Sequence, residues 1–216
     1  MTMHWLNVFS VVLLTCLTVR ADGDSDSVSR TLQVRLTSGN FVGETSAVNG
    51  TDRWLGIPFA QPPLGPLRFK APVAITNAPQ GVQSAAQFGD ACPQLPSATL
   101  FARAQSEDCL TLNVWRPIVT SASDKLPVLV WFYGGAFMHG ATSDPTFDPT
   151  RILSRSVTVG KPIIFVSVNW RVNTFGFLAS SHVPAEDLNA GFQDQRAALT
   201  FVQDNIHVFG GDPAKV

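Results

Sequence analysis

Two stretches constrain this chain more than any others: residues 127–133 (Pro-Val-Leu-Val-Trp-Phe-Tyr) and residues 162–168 (Pro-Ile-Ile-Phe-Val-Ser-Val) are almost unbroken in apolar side chains. A strand with one wetted face alternates between apolar and polar. Unbroken runs belong instead to strands covered on both faces, as in a parallel sheet packed between helices. Between the two runs, Asp148 followed by Pro149 supplies an N-cap and a first-turn proline. The helix they open is expected to reach about Ser156 and to end before Gly160. Strand, helix, strand is a βαβ unit, with a right-handed crossover. A longer helix reads over residues 190–208, with Leu199, Val202, Ile206 and Phe209 as its apolar stripe. Gly210-Gly211-Asp212-Pro213 stops it. Lys215 and Val216 then read as the opening of a further buried strand.

Upstream the pattern is antiparallel. Residues 33–36 and 40–45 flank Ser38-Gly39 as a β-hairpin, residues 53–59 read as another strand, and residues 110–115 alternate as a strand that stops at Pro117. Three prolines within residues 61–66 make that connection irregular, since proline cannot sit in a ladder or a helix interior. The class is therefore α/β, with an antiparallel start feeding a mostly parallel central sheet with flanking helices.

Composition narrows the setting. Of 216 residues, 45% are apolar and only 14% charged, against about 25% charged in ordinary globular chains. A formal net charge of -1 carries no electrostatic footprint for nucleic acid, so no nucleic-acid partner is expected. Low charge fits a secreted protein with a Ser, Thr, Gln and Asn surface. It also fits part of a larger domain whose apolar faces need further chain. Residues 1–21 read as a signal peptide: an apolar stretch at 5–19 too short for a membrane span, small residues around Val19 and Ala21, and an acidic, Ser-rich segment after them. The alternative is an uncleaved anchor or a buried helix. The expected organisation is a signal peptide at 1–21 and one domain portion at 22–216, secreted, with no stable membrane anchor. Cys16 leaves with the signal, and Cys92 and Cys109 remain as an even pair in an oxidising compartment. Bonded, they would close a loop worth about 3 kcal/mol on the chain-entropy model. Otherwise they are two unpaired buried thiols. Asn49-Gly50-Thr51 is the one N-x-[ST] sequon, which makes Asn49 a candidate glycosylation site.

A nucleophile is missing. G-x-S-x-G occurs nowhere; residues 43–47 resemble it but carry Thr at the centre, and Gly23-Asp24-Ser25 follows the signal segment rather than a buried strand. None of His4, His139, His182 and His207 stands in a defensible arrangement with a carboxylate and a Ser or Cys. No metal-ligand spacing and no glycine-rich phosphate loop is present, so no metal and no cofactor are expected. One constellation stands out. Residues 131–137 (Trp-Phe-Tyr-Gly-Gly-Ala-Phe) end a buried strand in two glycines and an alanine, which let the backbone turn sharply and approach a ligand. N–H groups in such a turn can point at a developing oxyanion, each contributing on the order of 2.7–4 kcal/mol to a transition state. The plain alternative is a tight turn.

Context decides between them. Residues 107–117 (Glu-Asp-Cys-Leu-Thr-Leu-Asn-Val-Trp-Arg-Pro) resemble the Glu-Asp-Cys-Leu signature of the type-B carboxylesterase and lipase family, which includes the cholinesterases. Further segments follow in family order: residues 55–60, 131–137, 169–172 with 175–178, and 189–216 with Asp194-Gln195 and the Phe209-Gly210-Gly211-Asp212-Pro213 turn. The resemblance runs over residues 33–216, and residues 160–169 are similar to the fungal lipase and esterase branch. It implies the N-terminal part of an α/β-hydrolase fold, incomplete, and ester hydrolysis through an acyl-enzyme on a small-molecule or lipid ester. By the same resemblance, Gly135 and Ala136 match the two oxyanion donors of the loop after this strand. Cys92 and Cys109 match the disulfide of the first Ω-loop, and Arg68 and Glu107 match a structural ion pair.

The family order also puts the nucleophile elbow on the strand after the long helix, with the acid and base later still. No triad member is therefore expected within residues 1–216, and these residues alone are expected to be inactive. A non-catalytic adhesion homologue and an inert short product are the other readings, separated by whether a serine elbow follows Val216. Between Cys92 and Cys109, Pro93 and Pro96 and the ion pair at Glu107 leave only residues 97–105 free, about 2.5 helical turns. That is short for an independent lid helix.

Overall fold

The structure is a computed structural model that describes residues 1, 31–46, 50–95 and 104–216. The expected signal segment after Met1, the Asn49 sequon and most of the stretch at 97–105 lie outside the described residues. Residues 1–30 and residues 31–216 separate into two units, and the second carries everything below.

The chain begins with the expected hairpin, β1 (Gln33–Leu36) against β2 (Gly39–Val42). A short strand, β5 (Val82–Ser84), adds parallel to β2 and completes a small three-stranded sheet. The second arm of the hairpin does not run on to Thr45 as the pattern suggests. It breaks at Gly43, where a Cβ would lie 2.5 Å from the Arg53 carbonyl oxygen and 2.6 Å from Trp54 Nε1. Only glycine admits this approach. Past it, β3 (Glu44–Ser46) crosses into the main sheet, antiparallel to β4 (Thr51–Pro58). Trp54, fully buried, locks the crossing: its indole N–H donates to the Leu32 carbonyl at 2.8 Å, and its ring meets Phe209 edge-on at 4.9 Å.

The main sheet has the order β3-β4-β6-β8-β7, where β6 is Thr111–Pro117, β7 is Val128–Phe132 and β8 is Ile164–Val168. β4 pairs antiparallel with β6, and β6 antiparallel with β8. β7 and β8, the two apolar runs, form the parallel pair, joined by helix α1 (Thr150–Thr158). This is the βαβ unit read from the sequence. Its helix starts as expected, with the Asp148 carboxylate accepting the Thr150 N–H at 2.8 Å. It runs two residues further, stopping before Gly160.

The two runs fare differently despite similar composition. Every residue of β8 is buried, whereas in β7 only Val128 is buried and Leu129 is 41% exposed. β8 sits between β6 and β7, while β7 is the outer strand among the described residues. Alternation along the strands sorts the core into two faces. Trp115 and Phe165 face Leu153 of α1. Val114 and Val166 face the opposite way, with Ala198, Phe201, Val202, Ile206 and Phe209 from the long helix α3 (Ala190–Asn205) and the 3-10 turn after it. The helices therefore cover opposite faces of the sheet.

Two expectations need correction here. Leu199 is 37% exposed; the buried face of α3 runs through Asp194, Ala198, Phe201 and Asn205, and only its continuation at Val202, Ile206 and Phe209 matches the expected stripe. Buried Asp194 and Asn205 mark that face, and polar residues drop out of an apolar stripe. Lys215 does not begin a strand: residues 213–215 form a 3-10 turn capped by the Asp212 carboxylate on the Ala214 N–H. The glycine stop before it does hold. Gly210 adopts φ +89, and the Leu126 N–H donates to its carbonyl at 2.8 Å, which fixes the entry to β7.

Candidate functional site

Residues 134–140 leave the end of β7 as a tight loop. Met138 and His139 both donate backbone N–H groups back to the Gly135 carbonyl, at 3.0 and 3.3 Å. Gly135 has φ +134, and a Cβ there would lie 2.0 Å from the His139 carbonyl oxygen. Ala136 and Phe137 follow at φ +53 and +61. Two successive L-residues in the left-handed region cost about 1–2 kcal/mol each, so the surroundings must hold the turn in place. Its consequence is chemical. Among the described residues, the N–H groups of Gly135 and Ala136 donate to no acceptor. Gly135 is half-buried and Ala136 exposed, so both donors are free to meet an incoming oxygen.

The loop is fastened at each end by buried polar groups. On the entry side, Tyr133 is stacked on Trp170 with ring centroids 5.3 Å apart and donates its hydroxyl to the Trp170 carbonyl. Burial pushes the Tyr133 hydroxyl well above its ordinary pKa, so it stays a donor. On the exit side, the Asn169 amide oxygen accepts both the N–H and the hydroxyl of Thr142 at 3.0 Å, and its NH2 donates to the Asp90 carbonyl. Thr142 in turn accepts from Asn113, fully buried on β6, whose NH2 also reaches Ser167 and whose oxygen takes the Gly56 N–H. In the middle, the Phe137 ring packs edge-on against Trp170, Phe177 and Phe192. Phe137, Met138, Phe177 and Phe192 line an open apolar cavity of about 580 Å³, which the loop meets at Phe137 and Met138, the residues that follow Gly135 and Ala136.

Cys92 and Cys109 are bonded, with Cα atoms 5.1 Å apart and both residues fully buried. In a non-reducing digest of the purified protein the two should appear in one cross-linked peptide; recovery of both as free thiols would contradict this. The stem beside the bond is a short ladder: Ala91 donates to the Ala104 carbonyl and Ser106 to the Ala91 carbonyl, both at 3.0 Å. Arg68 grips Glu107 through two parallel bonds of 2.6 and 2.5 Å, and this carboxylate holds the guanidinium above its ordinary pKa. The disulfide stem and the loop at 134–140 are brought together; Asn49 lies outside the described residues. His139, His182 and His207 are exposed. No three His, Cys, Asp or Glu side chains gather as a metal would require, and no helix is long and apolar enough to cross a membrane, among the described residues.

Sequence reasoning named the two loop donors and the cysteine pair but not the side chains that fasten the loop. Asn113, Tyr133 and Asn169 sat inside segments already singled out, without a role. Thr142 carried no signal beyond its polarity.

The chain is similar to known proteins over most of its length. The model of the carboxylesterase family matches residues 30–216. Lipase 4 of Diutina rugosa is 42% identical over 211 residues, covering 88% of this chain and 38% of that protein. Secreted lipase 1 of Botryotinia fuckeliana is 39% identical over 207 residues, covering 86% of this chain and 35% of that protein. Among solved structures, EstA of Aspergillus niger superposes with a TM-score of 0.76 at 36% identity, covering 88% of this chain and 35% of that one. The chain thus spans little more than a third of the relatives it matches.

Proposed function

The chain belongs to the carboxylesterase family, and from that premise we propose that the full-length protein is a secreted carboxylic ester hydrolase in which the N–H groups of Gly135 and Ala136 receive the oxyanion. The observation that carries this reading is the loop itself: two free backbone donors, held in a strained turn beside an apolar cavity. An ester carbonyl attacked by a nucleophile becomes a tetrahedral oxyanion. Donors already aimed at that oxygen stabilise it more than they stabilise the flat carbonyl, and that difference lowers the barrier. The cavity at the Phe137 and Met138 end of the loop gives an apolar acyl or alcohol group a place. G-x-S-x-G is absent from residues 1–216, so in this reading the serine, with its acid and base, comes from outside them.

Residues 1–21 act as the signal in this proposal, residues 22–216 as the portion of the hydrolase domain in hand, and Asn49 as a glycosylation site. The secreted relative supports the location. The test is labelling of the full-length protein with a fluorophosphonate probe, alongside hydrolysis of p-nitrophenyl esters. Stoichiometric modification of one serine with loss of turnover is expected. A folded full-length protein that neither labels nor hydrolyses would end the proposal.

For substrate class, the stem between the cysteines is the informative part. Its ladder and the Gln105 side chain, which accepts the Gln94 N–H at 2.9 Å, fix the stem up to Leu95 and from Ala104 onward, and the stretch between them in sequence is short for an independent lid helix. We therefore expect activity on dissolved or dispersed esters with little interfacial activation. Specific activity plotted against triglyceride concentration should saturate below the solubility limit; a sharp rise on crossing that limit would refute it.

A further inference from the structure

The geometry points to Gln94 as the residue that positions the oxyanion loop, by tying it to the Cys92–Cys109 disulfide. This rests on the role proposed above for Gly135 and Ala136. The Gln94 side chain pairs with the peptide groups of Gly140 as a strand would. Its Nε2 donates to the Gly140 carbonyl at 2.9 Å, and its Oε1 accepts the Gly140 N–H at 2.8 Å. The second Nε2 hydrogen goes to the Cys92 carbonyl, also at 2.9 Å. Both amide hydrogens are thus used, and each end of the amide faces a group of the matching kind. Flipping the amide would set Nε2 against the Gly140 N–H and leave two carbonyls without their donor, so the orientation is forced by the partners.

Gln94 is itself held. Its backbone N–H donates to Gln105 Oε1 at 2.9 Å, and two residues before it Cys92 is fully buried in the disulfide. A second tie runs parallel. Asn173 donates its backbone N–H to the Phe137 carbonyl at 2.6 Å and its side-chain NH2 to the Pro93 carbonyl at 2.8 Å. Residues 92–94 are therefore a fixed rail to which the loop is attached at Phe137 and at Gly140. The strained pair Ala136 and Phe137 lies between Gly135 and that second attachment point. Gln94 touches neither Gly135 nor Ala136. It acts on them through Gly140, the residue next to the turn that Met138 and His139 close on the Gly135 carbonyl.

Two substitutions in the full-length protein test this. Gln94→Met keeps the length of the side chain and removes all three side-chain hydrogen bonds. A donor displaced by a fraction of an ångström loses transition-state binding and little ground-state binding, so kcat should fall between about tenfold and a hundredfold while KM stays within about twofold. Gln94→Glu keeps an acceptor for the Gly140 N–H but turns a carboxylate oxygen toward the Gly140 carbonyl. Protonating that carboxyl restores a donor, so its kcat relative to the original protein at the same pH should rise as pH is lowered through the carboxyl range. Amide hydrogen exchange supplies a readout independent of activity. Peptides covering residues 134–142 should exchange faster in Gln94→Met, with residues 198–209 of the long helix and the turn after it unchanged. Unchanged exchange over 134–142 overturns the proposal, as does a fall in kcat matched by a uniform rise in exchange across the chain. If the full-length protein hydrolyses no ester at all, the oxyanion role falls, and the exchange result alone decides whether Gln94 sets the loop.

Discussion

Replacing Arg171 with methionine is expected to cost the fold about 3–5 kcal/mol, the range for breaking a buried ion pair from one side. Arg171 and Asp194 have side chains 3% and 0% exposed. The guanidinium meets the carboxylate through Nε at 2.8 Å and through its second arm at 2.7 Å, and the Arg171 backbone N–H adds a third bond at 3.0 Å. This pair joins the segment after β8 to α3, and the same segment carries Trp170, on which the loop strand rests. Burial pushes the Asp194 carboxyl above its ordinary pKa, and the hydrogen bonds and charge of Arg171 oppose that push. Without the arginine, only burial remains. The sign follows: a carboxyl whose folded pKa lies above its unfolded value holds more protons in the folded state, so stability falls as pH rises through the interval between them. The deficit of Arg171→Met should accordingly be larger at pH 8 than at pH 4.5. Urea unfolding of the full-length protein at both values measures it. The double variant Arg171→Met with Asp194→Leu should recover a large part of the loss, because an apolar pair leaves no charge behind. A deficit below about 1 kcal/mol at pH 8, inside the range of exposed pairs, would contradict the account.

That pair also shows where the sequence was legible and where it was not. The βαβ unit was readable because continuous apolar runs have few other uses, and the α1 start because Asp148-Pro149 acts locally. Gly43 and Asp194 were not readable. Gly43 is required by Arg53 and Trp54 from β4, and Asp194 is buried only because Arg171 arrives from 23 positions upstream. Each is defined by a partner distant in sequence, and periodicity carries no information about partners. The same limit explains the miss at Leu199, where a polar residue took the buried face. It also explains the silence over Gln94, whose role exists only once Gly140 lies beside it. Family motifs filled part of this gap: they named Gly135, Ala136, Arg68 and Glu107 as single positions. They did not say what holds the loop.

In the full-length protein, Gly135→Val is expected to lower kcat by about 10²–10³, the loss for removing one oxyanion donor, with KM changed far less. The residue stands at φ +134, a region an L-residue rarely enters, and the first carbon of any side chain would lie 2.0 Å from the His139 carbonyl oxygen. That oxygen belongs to the turn closed by the bonds from Met138 and His139 to the Gly135 carbonyl. To admit valine, the turn must open and the Gly135 N–H must rotate off its line. The fold itself need not fail, because Tyr133 and Thr142 hold the two flanks through Trp170 and Asn169. Thermal unfolding within a few degrees of the original protein would establish that the variant is folded. The ground-state carbonyl depends weakly on the displaced donor, so substrate binding persists. The tetrahedral intermediate depends on it strongly, so turnover collapses. A trifluoromethyl ketone, which the nucleophile converts into a stable oxyanion, should lose affinity by nearly the same factor as kcat/KM. A folded Gly135→Val protein with undiminished kcat would instead mean that the free N–H groups of this loop take no part in the reaction.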